Sequence, residues 1–242
     1  MIPFVVGAML LQTMRATPPA PVPFAVGELL EFSGSYLFAS PGSATMTVVG
    51  VDTVSGVARW HFSLGLDVDF AWFHNRTKLE SWTGVNDFAS RRFVHWIKEG
   101  GRQIADDDFQ IFGDSGFYRN RSDTLKKRTP RLPLDDLAFI YFLRTMDFKK
   151  DSVYRLPRYF RDDHNPVEVT VMGHDSVEMP DGSRRSCWLL RPIVDEPGGL
   201  FARGKNAKLW ITDDGVRVPV KIESDFGPSH LTLKLKRISK SQ

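Results

Sequence analysis

Cysteine is nearly absent: the chain of 242 residues holds one, Cys187. A lone cysteine forms no intramolecular disulfide, and its place in the apolar run "CWLL" makes a buried, unreactive thiol the expectation. It lies too far along the chain to serve as a lipid-anchored N-terminal cysteine. Long apolar runs are also missing, and none approaches the roughly 18 residues that a membrane-spanning helix needs. Charge is balanced, with a formal net value of +3 and no long run of one sign, so no nucleic-acid partner is implied. A P-loop, a dinucleotide glycine fingerprint, a G-x-S-x-G elbow, an H-E-x-x-H helix and paired-cysteine metal spacing are all lacking. The six histidines, at 61, 74, 95, 164, 174 and 230, stand singly. None has a second histidine one helical turn away, so neither a metal nor a cofactor is expected.

What remains is an ordinary globular composition, 42% hydrophobic and 25% charged, which can bury a real core. The opening, "MIPFVVGAMLLQTMRATPPAPVPF", runs apolar from Ile2 to Leu11 and continues into small residues and prolines. It reads as a signal-like segment and Pro-rich tether over 1–23, ahead of one β-rich domain over 24–242. The basic n-region is missing, which fits a start farther upstream or an atypical signal; a buried first strand is the alternative. Export to the periplasm or cell envelope is the expectation. Two glycosylation triplets, at Asn75 and Asn120, carry no weight, because such triplets arise by chance.

Strand periodicity dominates. In "GELLEFSGSYLFA" Leu30, Phe32, Tyr36 and Phe38 alternate with Glu31, Ser33 and Ser35, and Gly34 on the apolar side implies a bulge or sharp bend. "GVARWHFSLGLDVDF" repeats the pattern with Trp60, Phe62, Leu64 and Leu66. Further strands are expected over 43–51, 77–82, 90–98, 102–112, 152–160, 166–177 and 184–194, with a closing pair around Asp214 and Gly227. About a dozen short strands punctuated by "SPGS", "KEGG", "GDSG" and "MPDGS" predict a mainly β fold: a strongly curved antiparallel sheet or open barrel. In "KLWITDDGVRVPVKIES" the alternation of Val216, Val218, Val220 and Ile222 makes Asp213-Asp214-Gly215 a hairpin turn, with Gly215 at positive φ, rather than a catalytic carboxylate pair.

One segment departs from this. "PLDDLAFIYFLRTMDF" predicts a helix over about 134–144, capped by Asp135 or Asp136. Its apolar residues cover nearly the whole circumference, so it must be buried, plugging the mouth or concave face of the sheet. The stretch before it, "RNRSDTLKKRTPR", reads as a mobile polar loop.

Candidate chemistry is sparse. "ADDDF" at 105–109 offers Asp106 to Asp108 to a hydrolase or a hard cation, but consecutive carboxylates on a strand point to opposite faces, so a solvated strand end is the plainer reading. Asp162 and Asp163 read as a turn. The aromatic load from 60 to 96 either fills the core or lines an apolar cavity. The candidate ligand-binding residues are Trp60, Phe62, Trp72, Phe73, Trp82 and Trp96, with Ile140 and Tyr141 from the helix.

Taken in order, "FAVGELLEFSGSYLFASPGSATMTV", "RTKLESWTGVNDFASRRFVHWIKEGGR", "DLAFIYFLRTMDF" and "LWITDDGVRVPVKIES" resemble the bacterial domain-of-unknown-function family numbered 3108, over about residues 24–236. The resemblance implies an exported, β-rich Gram-negative envelope protein with no catalytic residues to carry over. An architectural likeness to the half-barrel lipoprotein carriers of the periplasm follows by analogy alone. Three functions stay open: a non-enzymatic envelope protein holding a lipid or other apolar ligand, an envelope scaffold with a packed core and a protein partner, and a hydrolase. A cavity separates the first two. Convergent polar groups around a perturbed carboxylate would favour the third.

Overall fold

The computed structural model describes residues 21–36, 39–54, 56–70, 73–196, 199–226 and 229–240. Most of the signal-like segment, Trp72 and Gly227 therefore lie outside the described residues. The strands are β1 (Glu28–Tyr36), β2 (Ala39–Val54), β3 (Val57–Phe70), β4 (Phe73–Gly84), β5 (Ser90–Glu99), β6 (Arg102–Phe112), β7 (Phe117–Asn120) and β8 (Lys127–Arg128). After the helix α1 (Asp136–Leu143) come β9 (Val153–Leu156), β10 (Val167–Glu178), β11 (Arg184–Ile193), β12 (Lys208–Thr212), β13 (Pro219–Phe226) and β14 (Ser229–Lys240).

All fourteen strands form one antiparallel sheet in the order β8-β7-β6-β5-β4-β3-β2-β1-β14-β13-β12-β11-β10-β9. The sheet is two meanders joined along β1 and β14, where Leu30 pairs Ile238 and Tyr36 pairs Leu231. The first meander runs outward from that seam to β8. The second starts at the opposite edge, β9, and runs back to it. A chain that finishes at one edge and resumes at the other must cross a face of the sheet, and α1 lies on that crossing. An isolated bridge between Leu134 and Tyr159 brings the two segments flanking the open edges together, so the sheet wraps round the helix without closing into a barrel.

The alternation in the sequence defines the inner face. Leu30 and Phe32 on β1, Ala44, Met46 and Val48 on β2, and Phe62, Leu64, Leu66 and Val68 on β3 are all buried. Gly34 marks a bend as expected: the β1–β2 register shifts between Gly34 and Tyr36. A Cβ at Gly34 would meet the Gly42 backbone at 3.0 Å, so only glycine allows the two strands to approach so closely there.

Helix α1 has a short, well-capped sequence. Asp135 stands in extended conformation as N-cap and accepts from the Leu137 and Ala138 amides, satisfying two donors that a helix start leaves open. Leu137, Ala138, Phe139, Ile140, Tyr141 and Leu143 are all buried, as the all-round apolar pattern requires. Tyr141 stacks on Phe62 of β3 with ring centroids 3.9 Å apart, while Phe139 meets Phe201 edge-on at 6.0 Å. Sheet and loop thus pack on different sides of one helix.

Several expectations need correction. Asp213 to Val218 is a six-residue connection rather than a tight hairpin turn, and the left-handed residue in it is Arg217, φ 50°, not Gly215. The connection is built on Asp214 Oδ1, which accepts from Thr212 Oγ1 and the Val216 and Arg217 amides. The segment 119–131 read as a loop contains the end of β7 and all of β8. Asp106 to Asp108 sit within β6, not at its end. Of 152–160, only Val153–Leu156 is strand.

Candidate functional site

The interior is anchored at both ends of α1 by buried polar groups. At the N-terminal end Asp135 is fully buried: Oδ2 accepts from Ser81 of β4 at 2.6 Å, and its amide donates to Ser90 Oγ of β5 at 2.9 Å. Burial pushes the Asp135 carboxyl up to about 6, although the Ala138 amide, Ser81 and Ser90 favour its ionised form. At the C-terminal end Arg144, 1% exposed, gives two bonds to Glu28 of β1 at 2.5 and 3.0 Å. Its remaining donors reach the carbonyls of Pro23, Val216 and Arg217 at 3.1, 3.2 and 2.9 Å. The helix is therefore tied to β4 and β5 at one end, and to β1 and the 213–218 connection at the other.

Two spaces open on the concave side beside the helix N-terminus. One is an apolar cavity of about 90 Å³ between α1, β3, β4 and β5, with Leu200 and Phe201 on its remaining side and His95 and Asp136 among its lining. The second is a polar cleft of about 460 Å³ towards the open edge, where Asp107, Tyr118, Asn120, Arg161 and His164 project. Charged side chains lie between them. His95 Nδ1 is 3.8 Å from Asp107, which accepts from Asn120 at 2.7 Å. Asp136 accepts from the Tyr159 hydroxyl at 3.2 Å. Arg161 holds both oxygens of Glu196 at 2.8 and 3.0 Å and lies over the Phe109 and Phe160 rings. Burial raises the Asp136 carboxyl, with Glu196 adding to the rise and His95 and Arg161 opposing it. The corner thus sets carboxylates, a guanidinium, an imidazole and a phenol side by side.

The expected aromatic site divides between the two faces. Phe62, Tyr141 and Ile140 are buried inside, Phe73 belongs to the same core, and half-buried Trp60 packs on Phe24 and Phe62. The Tyr141 hydroxyl and the Trp60 indole N–H are buried without a hydrogen-bond partner among the described residues. Trp82 and Trp96 lie on the outer face. Trp82 is held between His61, ring centroids 4.3 Å apart, and the Arg92 guanidinium at 4.5 Å, and its indole N–H donates to Asp52 at 2.8 Å. Trp96 carries the Lys78 ammonium at 5.7 Å. Only one of the two aromatic sets can reach an interior ligand.

The carboxylates considered for hydrolysis are also placed. Asp108 takes a bidentate bond from Arg92 at 2.8 and 2.9 Å on the outer face. Burial would raise its carboxyl, but Arg92 and Arg121 outweigh that and hold it below the usual range. Asp213 accepts from Trp188 at 2.6 Å and faces His174 at 2.9 Å. Cys187 is buried, and burial lifts its thiol to about 11, far from a reactive thiolate. No group of three or more metal-ligating side chains occurs among the described residues. No helix there is long and apolar enough to cross a membrane.

The charged corner of Asp136, His95, Tyr159, Arg161 and Glu196 escaped the sequence reading, because its members are scattered singly along the chain. One signal was present: in "SRRFVHWIKE" His95 falls on the apolar parity with Phe93 and Ile97, so a histidine was due on the inner face.

Among solved structures, the chain is similar to a β-barrel-like protein of the DUF1849 domain of unknown function from Brucella abortus. The TM-score is 0.56 at 9% identity over 90% of this chain and 98% of that one, a likeness of fold alone. A predicted lipoprotein from Parabacteroides distasonis aligns over 90% and 97% of the two chains, at 9% identity and a TM-score of 0.38. No curated protein matches in sequence. The family DUF3108, described as a protein of unknown function, matches residues 31–236, and the chain belongs to it.

Proposed function

We propose that this is a non-enzymatic protein of the cell envelope that acts as a rigid half-barrel scaffold for an envelope partner, not as a carrier with a lipid inside. The observation that carries this is the filled interior. The helix stacks on Phe62, is bonded at both ends, and leaves an apolar cavity of about 90 Å³. Pockets for drug-sized ligands run about 300–1,000 Å³, and an acyl chain needs room of that order. Displacing the helix to make that room would strand the Arg144–Glu28 pair and the Asp135 cap in an apolar interior. A non-enzymatic role agrees with the use of Asp107, Asp108, Asp135 and Asp213 as fixed structural acceptors. An envelope location agrees with the apolar run Ile2 to Leu11 and the prolines that follow it.

Native mass spectrometry of protein purified from its own envelope tests both halves of the reading. The expected spectrum shows polypeptide without a lipid mass, from the envelope fraction. A stoichiometric co-purifying lipid would return the protein to the carrier class, and full-length chain recovered from the cytoplasm would end the export reading.

A further inference from the structure

We propose that Arg59, Arg91 and Arg158 form a binding site for an oxyanion, a phosphate or carboxylate group, where the start of β3, the β4–β5 connection and the segment after β9 meet. The donors come first. Arg59 is half-buried and makes no hydrogen bond or ion pair among the described residues, and its Nε is buried without an acceptor. Arg91, at the start of β5, gives Nη2 to Asp87 at 2.6 Å, while its Nη1 is also buried without an acceptor. Arg158 donates to the Leu132, Asp87 and Phe88 carbonyls at 2.7, 3.0 and 3.3 Å and lies over the Phe142 ring at 4.6 Å. Buried N–H groups of a charged guanidinium are costly to leave unpaired, and two neighbouring arginines each carry one.

The acids around the cluster are already placed. Asp87 pairs with Arg91, and its Oδ1 accepts from the Ala89 amide at 2.9 Å. It packs so closely on Gly84 that a Cβ there would meet Oδ1 at 2.1 Å, which fixes its position. Asp52, opposite Arg59 on β2, accepts from the Trp82 indole at 2.8 Å and faces His61 at 3.5 Å. Three guanidinium groups therefore meet two carboxylates, and neither carboxylate pairs with Arg59. Burial and the neighbouring Arg91 charge both disfavour the Arg59 cation, whereas the Asp87 charge supports Arg158. An oxyanion on Arg59 would offset that repulsion and offer acceptors to its donor fork, which matches phosphate and carboxylate alike. A cation would add a further positive charge, and a neutral ligand would leave the two arginines opposed. This inference is independent of the scaffold reading, since the site needs no space inside the half-barrel.

NMR of the arginine Nε–Hε groups in the full chain at pH 7, titrated with sodium phosphate, sodium acetate and sodium chloride at matched ionic strength, tests it. Phosphate, acetate or both should move the Arg59 and Arg91 resonances saturably, and chloride should leave them in place. The tighter of the two oxyanions identifies the group the site takes. Arg59→Gln should weaken the Arg91 response tenfold or more. The same oxyanion should raise the melting temperature of the wild type above its value in chloride, and the rise should vanish in Arg59→Gln. The wild-type comparison with chloride decides the matter should Arg59→Gln fold poorly. Equal responses to the oxyanions and chloride, full affinity in folded Arg59→Gln, or no response of these arginines to any probe would each overturn the proposal.

Discussion

Asp135 serves opposing demands, as helix cap and as buried charge. Its carboxyl is raised from 3.8 to about 6 in the folded chain. Stability from this group is therefore complete below the unfolded value of 3.8 and is lost as the pH rises through 6. Ionising the group in the folded rather than the unfolded chain costs on the order of 3 kcal/mol, the stability forgone at neutral pH. Asp135→Asn keeps an acceptor for the Leu137 and Ala138 amides and can donate to Ser81. Urea unfolding should then show the variant matching the wild type near pH 4 and exceeding it by up to about 3 kcal/mol at pH 8. A variant with the same deficit at both pH values would show that the carboxyl titrates alike in the folded and unfolded chain, so that its burial carries no charge penalty. Asp135→Ala leaves those amides bare and should lose about 1–2 kcal/mol even at pH 4. A second local case is the 213–218 connection. Gly215 has ordinary φ and open space around its Cβ position, so Gly215→Val should change the melting temperature little. Arg217 sits at φ 50°, and a β-branched residue there should cost about 1–3 kcal/mol, which the same thermal melts would reveal.

At the scale of elements, α1 is too short to be stable alone and depends on what surrounds it. Its apolar surface fixes that it is buried. Its direction is fixed by Asp135 at one end and Arg144 at the other. Arg144→Met would leave Glu28 buried and unpaired, together with the carbonyls of Pro23, Val216 and Arg217. The expected loss is about 3–5 kcal/mol in chemical denaturation. Adding Glu28→Gln should recover only part of it, because the three carbonyls still lack a donor. Full recovery in the double variant would mean that the ion pair, not the network, holds the helix. The outer ladder of Asp52, His61, Trp82, Arg92 and Asp108 shows the same logic on the other face. Trp82 was legible as a large strand aromatic, but an outward position follows from its parity with Lys78 and Glu80 rather than from its size.

For the whole molecule, the seam between β1 and β14 joins the first described strand to the last, separated by nearly the full chain. Every other pairing in the sheet joins strands consecutive in the chain. Strands hydrogen-bonded on both sides open only with the global transition, whereas edges fray. Hydrogen exchange should therefore be slowest in the centres of β1, β2, β3 and β14 and fastest in β8 and β9. Slow exchange at β9 in the isolated protein would indicate that the open edge is covered by a second chain, and it would change the scaffold reading.

The sequence by itself determined most of the strands, the inner parity of β1 and β3, the bend at Gly34, the buried helix and its cap, because each follows from a period of two, a helical turn or the chemistry of a few adjacent residues; it missed β7 and β8 and did not separate outward Trp82 and Trp96 from the interior aromatics. It also carried the family, through segments spread from Phe24 to Ser224. Tertiary structure alone decided that fourteen strands make one open sheet, that β14 meets β1, and that Asp136, His95, Tyr159, Arg161 and Glu196 share a corner. Those contacts join residues tens to hundreds of positions apart, and no local pattern encodes them. They arise when two meanders must bury one face against a single helix, and the curvature this imposes brings the open edges and their charges together.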